Sequence, residues 1–227
     1  MKAMILAAGR GERMRPLTDT CPKPLLEVGG HKLIEYHIRA LVKSGIHHIV
    51  INHAYLGNLI EEYLGDGRRY DADIVYSAES EALETGGGIF KALDLLGDEA
   101  FVLVNGDVWT DFGFNCLPKK ISSLAHLIVV ANPAHNPEGD FSLVNGLLHP
   151  AGENKLTSRL TYSGIGVYHP DLFSGCRAGR FPLAPLLKNA MKKNKISGES
   201  FTGQWVDIGT PERLEKLDNK LKGKNEF

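Results

Sequence analysis

The chain has 227 residues, a formal net charge of -1 at pH 7, and 43% hydrophobic against 23% charged residues. That composition is ordinary for a globular domain, and a net charge this close to zero argues against non-specific binding to nucleic acid. The three cysteines, Cys21, Cys116 and Cys176, are odd in number and widely spaced, so neither a disulfide framework nor a structural zinc site is indicated.

No apolar run approaches the roughly 20 residues that a membrane span requires. The first apolar run is also too short for a signal peptide, and charged residues follow it at once. We therefore expect a soluble, cytoplasmic protein with no membrane or nucleic-acid partner, present as a monomer or a small homo-oligomer. The length predicts a single domain over residues 1–227.

The first half of the chain alternates short apolar runs with amphipathic stretches. Strands are predicted over residues 2–7, 47–52, 72–77 and 101–105, and helices over residues 33–44, 58–64 and 88–96. Nearly continuous apolar strands separated by helices are typical of parallel strands covered on both faces. The pattern predicts a doubly wound, Rossmann-like α/β fold with a mixed, mostly parallel sheet flanked by helices.

The second half is less regular. Residues 126–132 and 160–168 predict strands, and the turn-rich sequence between them predicts a hairpin over residues 141–150. Residues 181–194 predict a helix, residues 205–210 a strand that ends in a loop, and residues 211–222 a last helix with proline in its first turn. We expect this half to add a small antiparallel insertion to the sheet.

The first predicted strand runs directly into the glycine-containing loop LAAGRGERMRPLT. In open α/β sheets, ligands bind outside the carboxyl ends of the strands. Gly9 and Gly11 allow backbone N–H groups to turn toward phosphate oxygens, and Arg13 and Arg15 can add charge-assisted bonds. The alternative is a tight turn without a ligand. A dinucleotide fingerprint would need glycine where Met14 stands, and no P-loop pattern is present.

Lys23 lies between two prolines in the segment CPKPL. Proline fixes φ and restricts the residue before it. We expect an exposed lysine in an extended segment, held ready as an anion ligand, with an ordinary solvated surface lysine as the alternative.

Two aspartates follow predicted strands at the same edge of the sheet. Asp107 comes just after the strand in FVLVNGD, and Asp207 lies in WVDIGT. Taken alone, Asp207 reads as a turn or helix-cap residue, and Asp111 reads as a loop residue. Together, Asp107 and Asp207 predict a Mg²⁺ site, since Mg²⁺ is commonly held by one or two carboxylates with phosphate oxygens and water.

Three successive glycines, Gly86 to Gly88, precede the helix predicted from residue 88. Glycines permit close approach of a backbone to a ligand. The run predicts a loop that contacts a flat base, with a mobile connection as the alternative.

Taken together, LAAGRGERMRPLTDTCPKPLLEVGG, ETGGG, NGD and WVDIGTPERL resemble the sugar-phosphate nucleotidyltransferases, also called nucleotide-sugar pyrophosphorylases. The resemblance extends to about residue 217, and its opening pattern GxGxRxxPLTxxxPKPL is highly specific. It implies the nucleotide-diphospho-sugar transferase fold, in which the antiparallel insertion forms the sugar side. Within the family, the chain most resembles the branch that joins UTP to N-acetylmuramic acid α-1-phosphate in peptidoglycan recycling.

The resemblance also implies roles for individual residues. Arg13 and Lys23 are expected to be catalytic, meeting the triphosphate and the phosphates at the reacting centre, and Asp107 and Asp207 to bind Mg²⁺. Glu84 stands where relatives usually have glycine. The expected nucleotide-binding residues are Ala8, Gly9, Gly11, Glu84, Thr85 and Gly86, and the expected sugar-binding residues are Asn105, Gly139, Asn154 and Ser163.

The implied reaction is attack of a sugar 1-phosphate on the α-phosphorus of UTP, with release of pyrophosphate. A phosphate monoester has its second pKa near ~6 and is largely dianionic at pH 7. The reaction therefore needs no protein base, and the sequence offers no convincing Ser/His/Asp arrangement. Two alternatives stay open, namely a guanylyl-, thymidylyl- or cytidylyltransferase for another sugar 1-phosphate, and a noncatalytic nucleotide-sugar sensor.

Overall fold

A computed structural model of the chain describes residues 1–150 and 159–223. Its helices are α1 (Leu33–Lys43), α2 (Gly57–Leu64), α3 (Glu84–Leu96), α4 (Ala184–Met191) and α5 (Pro211–Lys222). Its strands are β1 (Ala3–Leu6), β2 (Glu27–Val28), β3 (His31–Lys32), β4 (His48–His53), β5 (Asp73–Ala78), β6 (Phe101–Asn105), β7 (Val108–Thr110), β8 (Ala125–Val130), β9 (Phe141–Val144), β10 (Leu147–Pro150), β11 (Arg159–Tyr168), β12 (Ile196–Ser200) and β13 (Trp205–Asp207).

One mixed sheet organises the fold. Within the described residues it has nine strands, in the order β5-β4-β1-β6-β11-β8-β12-β10-β9. The first four are parallel neighbours, β11 is antiparallel to both β6 and β8, and β12 is parallel to β8. β9 and β10 form the predicted hairpin at the far edge. The predicted doubly wound α/β fold, with a mostly parallel sheet and an antiparallel insertion, is confirmed.

Helices cover both faces of the sheet because alternate residues of each central strand point to opposite sides. Ile5 of β1 and Ile51 of β4 lie in one apolar core with Ile38 of α1. Met4 of β1 lies in the core on the other face with Ile89 of α3. All five side chains are fully buried. Burial on both faces explains why these strands are apolar without a period-two pattern.

A short ladder outside the main sheet brings two distant parts of the chain together. β13 pairs antiparallel with β7, and this register places Asp207 opposite Val108. The backbone N–H of Ile208 donates to the carbonyl oxygen of Asp107 at 2.9 Å. Asp107 and Asp207, one hundred positions apart in sequence, are therefore neighbours at the carboxyl end of β6.

The prediction of a loop over the three glycines is wrong. Helix α3 begins at Glu84, so that Gly86, Gly87 and Gly88 are helical and buried. Glycine has low helix propensity, which is why the sequence alone favours a loop there. The glycines are required by packing instead, since a Cβ on Gly86 would lie 2.5 Å from the ring of Phe181.

Candidate functional site

A cavity of about 360 Å³ opens at the carboxyl ends of β1 and β6. Its volume is in the range of small-molecule sites, and its position is the one at which α/β sheets bind ligands. The structure brings most of the sequence-predicted site residues into its lining, namely Ala8, Gly9, Gly11, Arg13, Lys23, Glu84, Thr85, Asn105 and Asp107.

In the loop after β1, the backbone at Gly11 requires glycine, and the space beside Gly9 is open. Gly11 has a φ of 71°, in the left-handed region that glycine adopts freely. Its carbonyl oxygen accepts hydrogen bonds from the Met14 N–H at 2.8 Å and the Thr18 hydroxyl at 2.9 Å. Within the described residues, no atom apart from those of Gly9 and its two chain neighbours lies within 4 Å of the position that a Cβ on Gly9 would take. The backbone at Gly9 therefore leaves room for a ligand.

Lys23 differs from its predicted state. It begins the 3-10 turn Lys23–Leu25 and is only 8% exposed, whereas the sequence predicts an extended and exposed residue. The flanking prolines are compatible with this turn, because Pro22 is extended and Pro24 takes an early helical position. The Nζ of Lys23 lies 2.7 Å from Oδ2 of Asp107. The ammonium is thus buried against a carboxylate in the cavity wall.

The turn that carries Asp107 is fixed from two sides. The N–H of Gly106 donates to the carbonyl oxygen of Leu6 at 2.9 Å, and a Cβ on Gly106 would lie 2.6 Å from that oxygen. On the other side, Nε2 of buried His37 donates to the carbonyl oxygen of Val108 at 2.8 Å. Burial lowers the pKa of His37 to about 4, so its imidazole is neutral at pH 7 and carries its proton on Nε2.

Asp207 lies beside this turn but does not line the cavity. Its Oδ2 lies 3.0 Å from Nη1 of Arg213 and 3.0 Å from Nε2 of His135. Arg213 belongs to α5 and His135 to the segment after β8. Two separate elements therefore hold the carboxylate of Asp207 by one of its oxygens, and Gly209 carries the chain back into the cavity wall.

The donor set at this edge fits a divalent cation. Asp107 and Asp207 each present one oxygen to protein cations, and the other oxygen has no hydrogen-bond partner within the described residues. In that same part of the chain, no three His, Cys, Asp or Glu side chains cluster as a complete metal site. A cation bound here would take its remaining ligands from phosphate oxygens and water, which is the usual pattern for Mg²⁺.

The carboxylates of the described lining each lie against a cation of the protein. Glu12 lies 2.8 Å from Nε of Arg10, Glu84 lies 2.9 Å from Nε of Arg180, and Asp107 lies 2.7 Å from Nζ of Lys23. The negative charges of the lining are therefore compensated within the protein.

Glu84 occupies a strained position at the start of α3. Its φ of 59° is in the left-handed region, which glycine adopts without steric cost and other residues rarely adopt. The carboxylate lies 2.9 Å from Nε of Arg180, and both side chains are partly exposed. The structure thus places a carboxylate, at a cost in backbone conformation, where a glycine would be free of strain.

The predicted sugar-binding residues are less well gathered. Asn105 lines the cavity, whereas Gly139 and Ser163 do not. Ser163 is 1% exposed, and its hydroxyl donates to the carbonyl oxygen of Ile128 at 2.8 Å. Asn154 lies outside the described residues. The roles of these residues toward a sugar stay predictions.

Several residues at the site are not found by sequence reasoning. His37 holds the backbone of Val108, which follows Asp107, from 71 positions away in sequence. Asp207 is contacted by His135 and by Arg213 of α5. Asn52, which lines the cavity, and Glu79 are buried polar residues at the ends of apolar strands. A polar residue that ends a buried strand is the one signal that the sequence offers for them.

Among residues 1–150 and 159–223, no helix is both long and apolar enough to cross a bilayer. Cys21, Cys116 and Cys176 are all free thiols, as the sequence predicts.

Comparison with known proteins identifies close relatives. Residues 2–145 match the family model described as Nucleotidyl transferase. The chain is 52% identical over 224 residues to the N-acetylmuramate alpha-1-phosphate uridylyltransferase of Neisseria meningitidis serogroup B, covering 95% of this chain and 96% of that protein. It is 32% identical to a protein of the same name from Caulobacter vibrioides, covering 92% of each. The solved structure of the inositol-1-phosphate CTP transferase from T. maritima has the same fold, with a TM-score of 0.78 at 19% identity over 98% of this chain and 95% of that one.

Proposed function

The chain belongs to the nucleotidyl transferase family, and on that premise we propose that it joins UTP to N-acetylmuramic acid α-1-phosphate, giving UDP-N-acetylmuramic acid and pyrophosphate. The observation that carries this proposal is the 52% identity to the Neisseria uridylyltransferase over 95% of the chain. Action in peptidoglycan recycling, in the cytoplasm, is part of the same proposal.

In this proposal, the nucleotide lies with its triphosphate toward Lys23 and Asp107 and its base toward the start of α3. The loop residues Ala8, Gly9 and Gly11 form the wall between these two ends. Glu84 and Thr85 lie at the base end, where a carboxylate does not oppose the phosphates. The polarity of the cavity supports this orientation, since Arg13 and Lys23 are the cations of its described lining.

The protein's main contribution to the reaction is positioning and charge. The sugar 1-phosphate attacks the α-phosphorus of UTP, the bond from that phosphorus to the bridging oxygen of the β-phosphate breaks, and the electron pair leaves with pyrophosphate. The dianionic nucleophile needs no general base. Lys23, fixed by its 2.7 Å contact with Asp107, stabilises charge on the α-phosphate, and exposed Arg13 binds the departing phosphates.

Asp107 and Asp207 are the residues that would hold Mg²⁺. A bound Mg²⁺ would supply neutralisation of phosphate charge. His37 keeps the Asp107 turn in place without adding charge, while Arg213 and His135 orient Asp207. Such contacts behind metal ligands commonly set the direction of the ligand oxygens.

The test is a substrate screen. Each of UTP, CTP, GTP and dTTP is combined with the α-1-phosphates of N-acetylmuramic acid, N-acetylglucosamine, glucose and mannose, and pyrophosphate release is measured with the nucleotide-sugar product identified by mass spectrometry. We expect UTP with N-acetylmuramic acid α-1-phosphate to have the highest kcat/KM by at least about tenfold. Preference for another base or sugar would contradict the proposal, and UDP-sugar binding without turnover would favour a noncatalytic sensor.

A further inference from the structure

Two buried polar side chains connect the two walls of the nucleotide cavity. Asn52, at the carboxyl end of β4, is 2% exposed, and Glu79, directly after β5, is 6% exposed. Buried polar groups are costly unless each is hydrogen-bonded. Here the two side chains are hydrogen-bonded to each other and to backbone groups next to the predicted nucleotide-binding residues.

The contacts form a continuous chain. Oδ1 of Asn52 accepts from the N–H of Ala7 at 3.0 Å, and Nδ2 of Asn52 donates to Oε1 of Glu79 at 2.6 Å. Oε2 of Glu79 accepts from the N–H of Leu83 at 2.9 Å. Ala7 is the first residue after β1 and leads into the glycine loop, and Leu83 directly precedes Glu84. These hydrogen bonds, which we call the Asn52–Glu79 bridge, therefore link the beginning of the glycine loop to the start of α3.

The residue types follow from the pattern of donors and acceptors. Both ends of the bridge, the N–H groups of Ala7 and Leu83, are donors. Two side chains can span two donors only if one side chain both accepts and donates a hydrogen bond and the other accepts two. An amide at position 52 with a carboxylate at position 79 meets that condition. The one exchange of these two groups that also meets it is a carboxylate at position 52 with an amide at position 79.

Gly88 shows how closely α3 packs on the bridge. A Cβ on Gly88 would lie 2.7 Å from Oε1 of Glu79 and 2.8 Å from Nδ2 of Asn52. The last of the three glycines is thus needed for contact with this pair of side chains. It brings the N-terminal half of the helix against the sheet, and a larger residue would push the two apart.

Glu79 is bound by uncharged groups only. Both of its oxygens accept from neutral N–H donors, and within the described residues no Lys, Arg or His forms an ion pair with it. A buried carboxylate without a counter-ion adds little to stability. Because its two oxygens accept from Asn52 and from the N–H of Leu83, the carboxylate instead fixes the positions of these two groups relative to each other.

We propose that Asn52 and Glu79 are positioning residues that set the distance between the glycine loop and the start of α3, and thereby the affinity of the site for its nucleotide. This inference rests on the proposed function only in the choice of UTP as the nucleotide. The bridge acts on binding because it touches the walls at the base end. The phosphate end is held separately by Lys23, Asp107 and His37.

The experiment exchanges the two groups. Asn52→Asp puts two carboxylates at a contact of 2.6 Å, and Glu79→Gln leaves an amide N–H facing another donor. The double variant Asn52→Asp/Glu79→Gln restores all three hydrogen bonds with the same net charge. We expect each single variant to raise KM for UTP on the order of tenfold, the loss of about one buried hydrogen bond, with little change in kcat. The double variant should return KM to within about twofold of wild type.

Leu96→Ala is the matched control for stability. Leu96 is buried at the C-terminal end of the same helix, about two turns beyond Gly88, so this variant should lower the urea midpoint while leaving KM for UTP unchanged. If Glu79 instead contacts the nucleotide itself, moving its charge to position 52 will not rescue KM, and that result overturns the proposal. An equal rise of KM in Leu96→Ala also overturns it.

A further variant tests the proposal if the double variant does not fold. Gly88→Ala adds one methyl group against the bridge in a helix that alanine otherwise favours. It should raise KM for UTP without loss of kcat, and an unchanged KM would overturn the proposal. If the wild-type enzyme uses a different nucleotide, the proposed function fails, and the same variants are compared with that nucleotide. The hydrogen bonds that the double variant restores lie within the protein, so this test does not depend on which base the nucleotide carries.

Discussion

His37 gives the stability of this protein a defined dependence on pH. The imidazole is 2% exposed, and its Nε2 donates to the carbonyl oxygen of Val108, beside the turn that carries Asp107. Burial lowers its pKa from 6.5 to about 4, while the hydrogen bond to Val108 and the charge of Asp107 act in the opposite direction. The unfolded chain therefore binds a proton at this residue below pH 6.5, while the folded protein does not until the pH approaches 4. Acid must favour the unfolded state over this range.

The size of the effect follows from the two pKa values. The difference between 6.5 and about 4 corresponds to about 3 kcal/mol of unfolding free energy once the pH lies below both values, at about 1.36 kcal/mol per pH unit. Between pH 7 and pH 5, where most carboxylates are still ionised, the same two values give a loss of about 2 kcal/mol. The His37→Gln variant keeps an N–H donor for Val108 and has no titrating group, so this part of the loss should disappear.

Urea unfolding of wild type and His37→Gln at pH 7 and pH 5 measures the difference directly. Exposed His48 provides the matched control, and His48→Gln should retain the loss seen in wild type. Comparing the change in unfolding free energy between the two pH values cancels any effect of the substitution that does not depend on pH. If His37→Gln loses as much stability as wild type between pH 7 and pH 5, then His37 is not a neutral buried residue and the reasoning is refuted.

Three further predictions concern the cavity. Lys23→Met keeps most of the length of the buried side chain and removes its charge, and should lower kcat on the order of 10²-fold in a pyrophosphate-release assay; a kcat near that of wild type would remove Lys23 from the mechanism. Asp107→Asn should lower turnover by a similar factor and raise the Mg²⁺ concentration needed for half-maximal rate, and normal turnover at low Mg²⁺ would argue against a metal role. Glu84→Gly relieves a positive φ and should raise the unfolding free energy in urea by up to ~1 kcal/mol, whereas a clear loss of stability would show that the contact with Arg180 outweighs the strain.

Most of the fold follows from patterns within short windows of the sequence. Apolar strands that are buried on both faces, such as β1 and β6, carry their own signal, and α5 begins at the predicted proline. Strands β7 and β12 carry no such signal. β7 has three residues and β12 contains a glycine, and both are formed by pairing with segments that lie far away in sequence.

The site was predictable where residue type alone indicates chemistry. Glycines after a strand, a lysine between prolines and aspartates after strands point to phosphate binding without any knowledge of contacts. The burial of Lys23 was not predictable, because it depends on Asp107, 84 positions away in sequence. The helical state of Gly86 to Gly88 depends in the same way on Phe181 and on the Asn52–Glu79 bridge. Neither the burial of Lys23 nor the helical state of these glycines can be predicted from the residues next to them in sequence.

The central claim is that cations gathered at one edge of a mostly parallel sheet allow two phosphorylated substrates to react. A crystal structure with a non-hydrolysable UTP analogue and Mg²⁺ tests it most directly. We expect the α-phosphate to contact Nζ of Lys23 and one metal ion to bind oxygens of both Asp107 and Asp207, with the base against the start of α3. A triphosphate bound away from Lys23, or a metal that engages neither aspartate, would contradict the account.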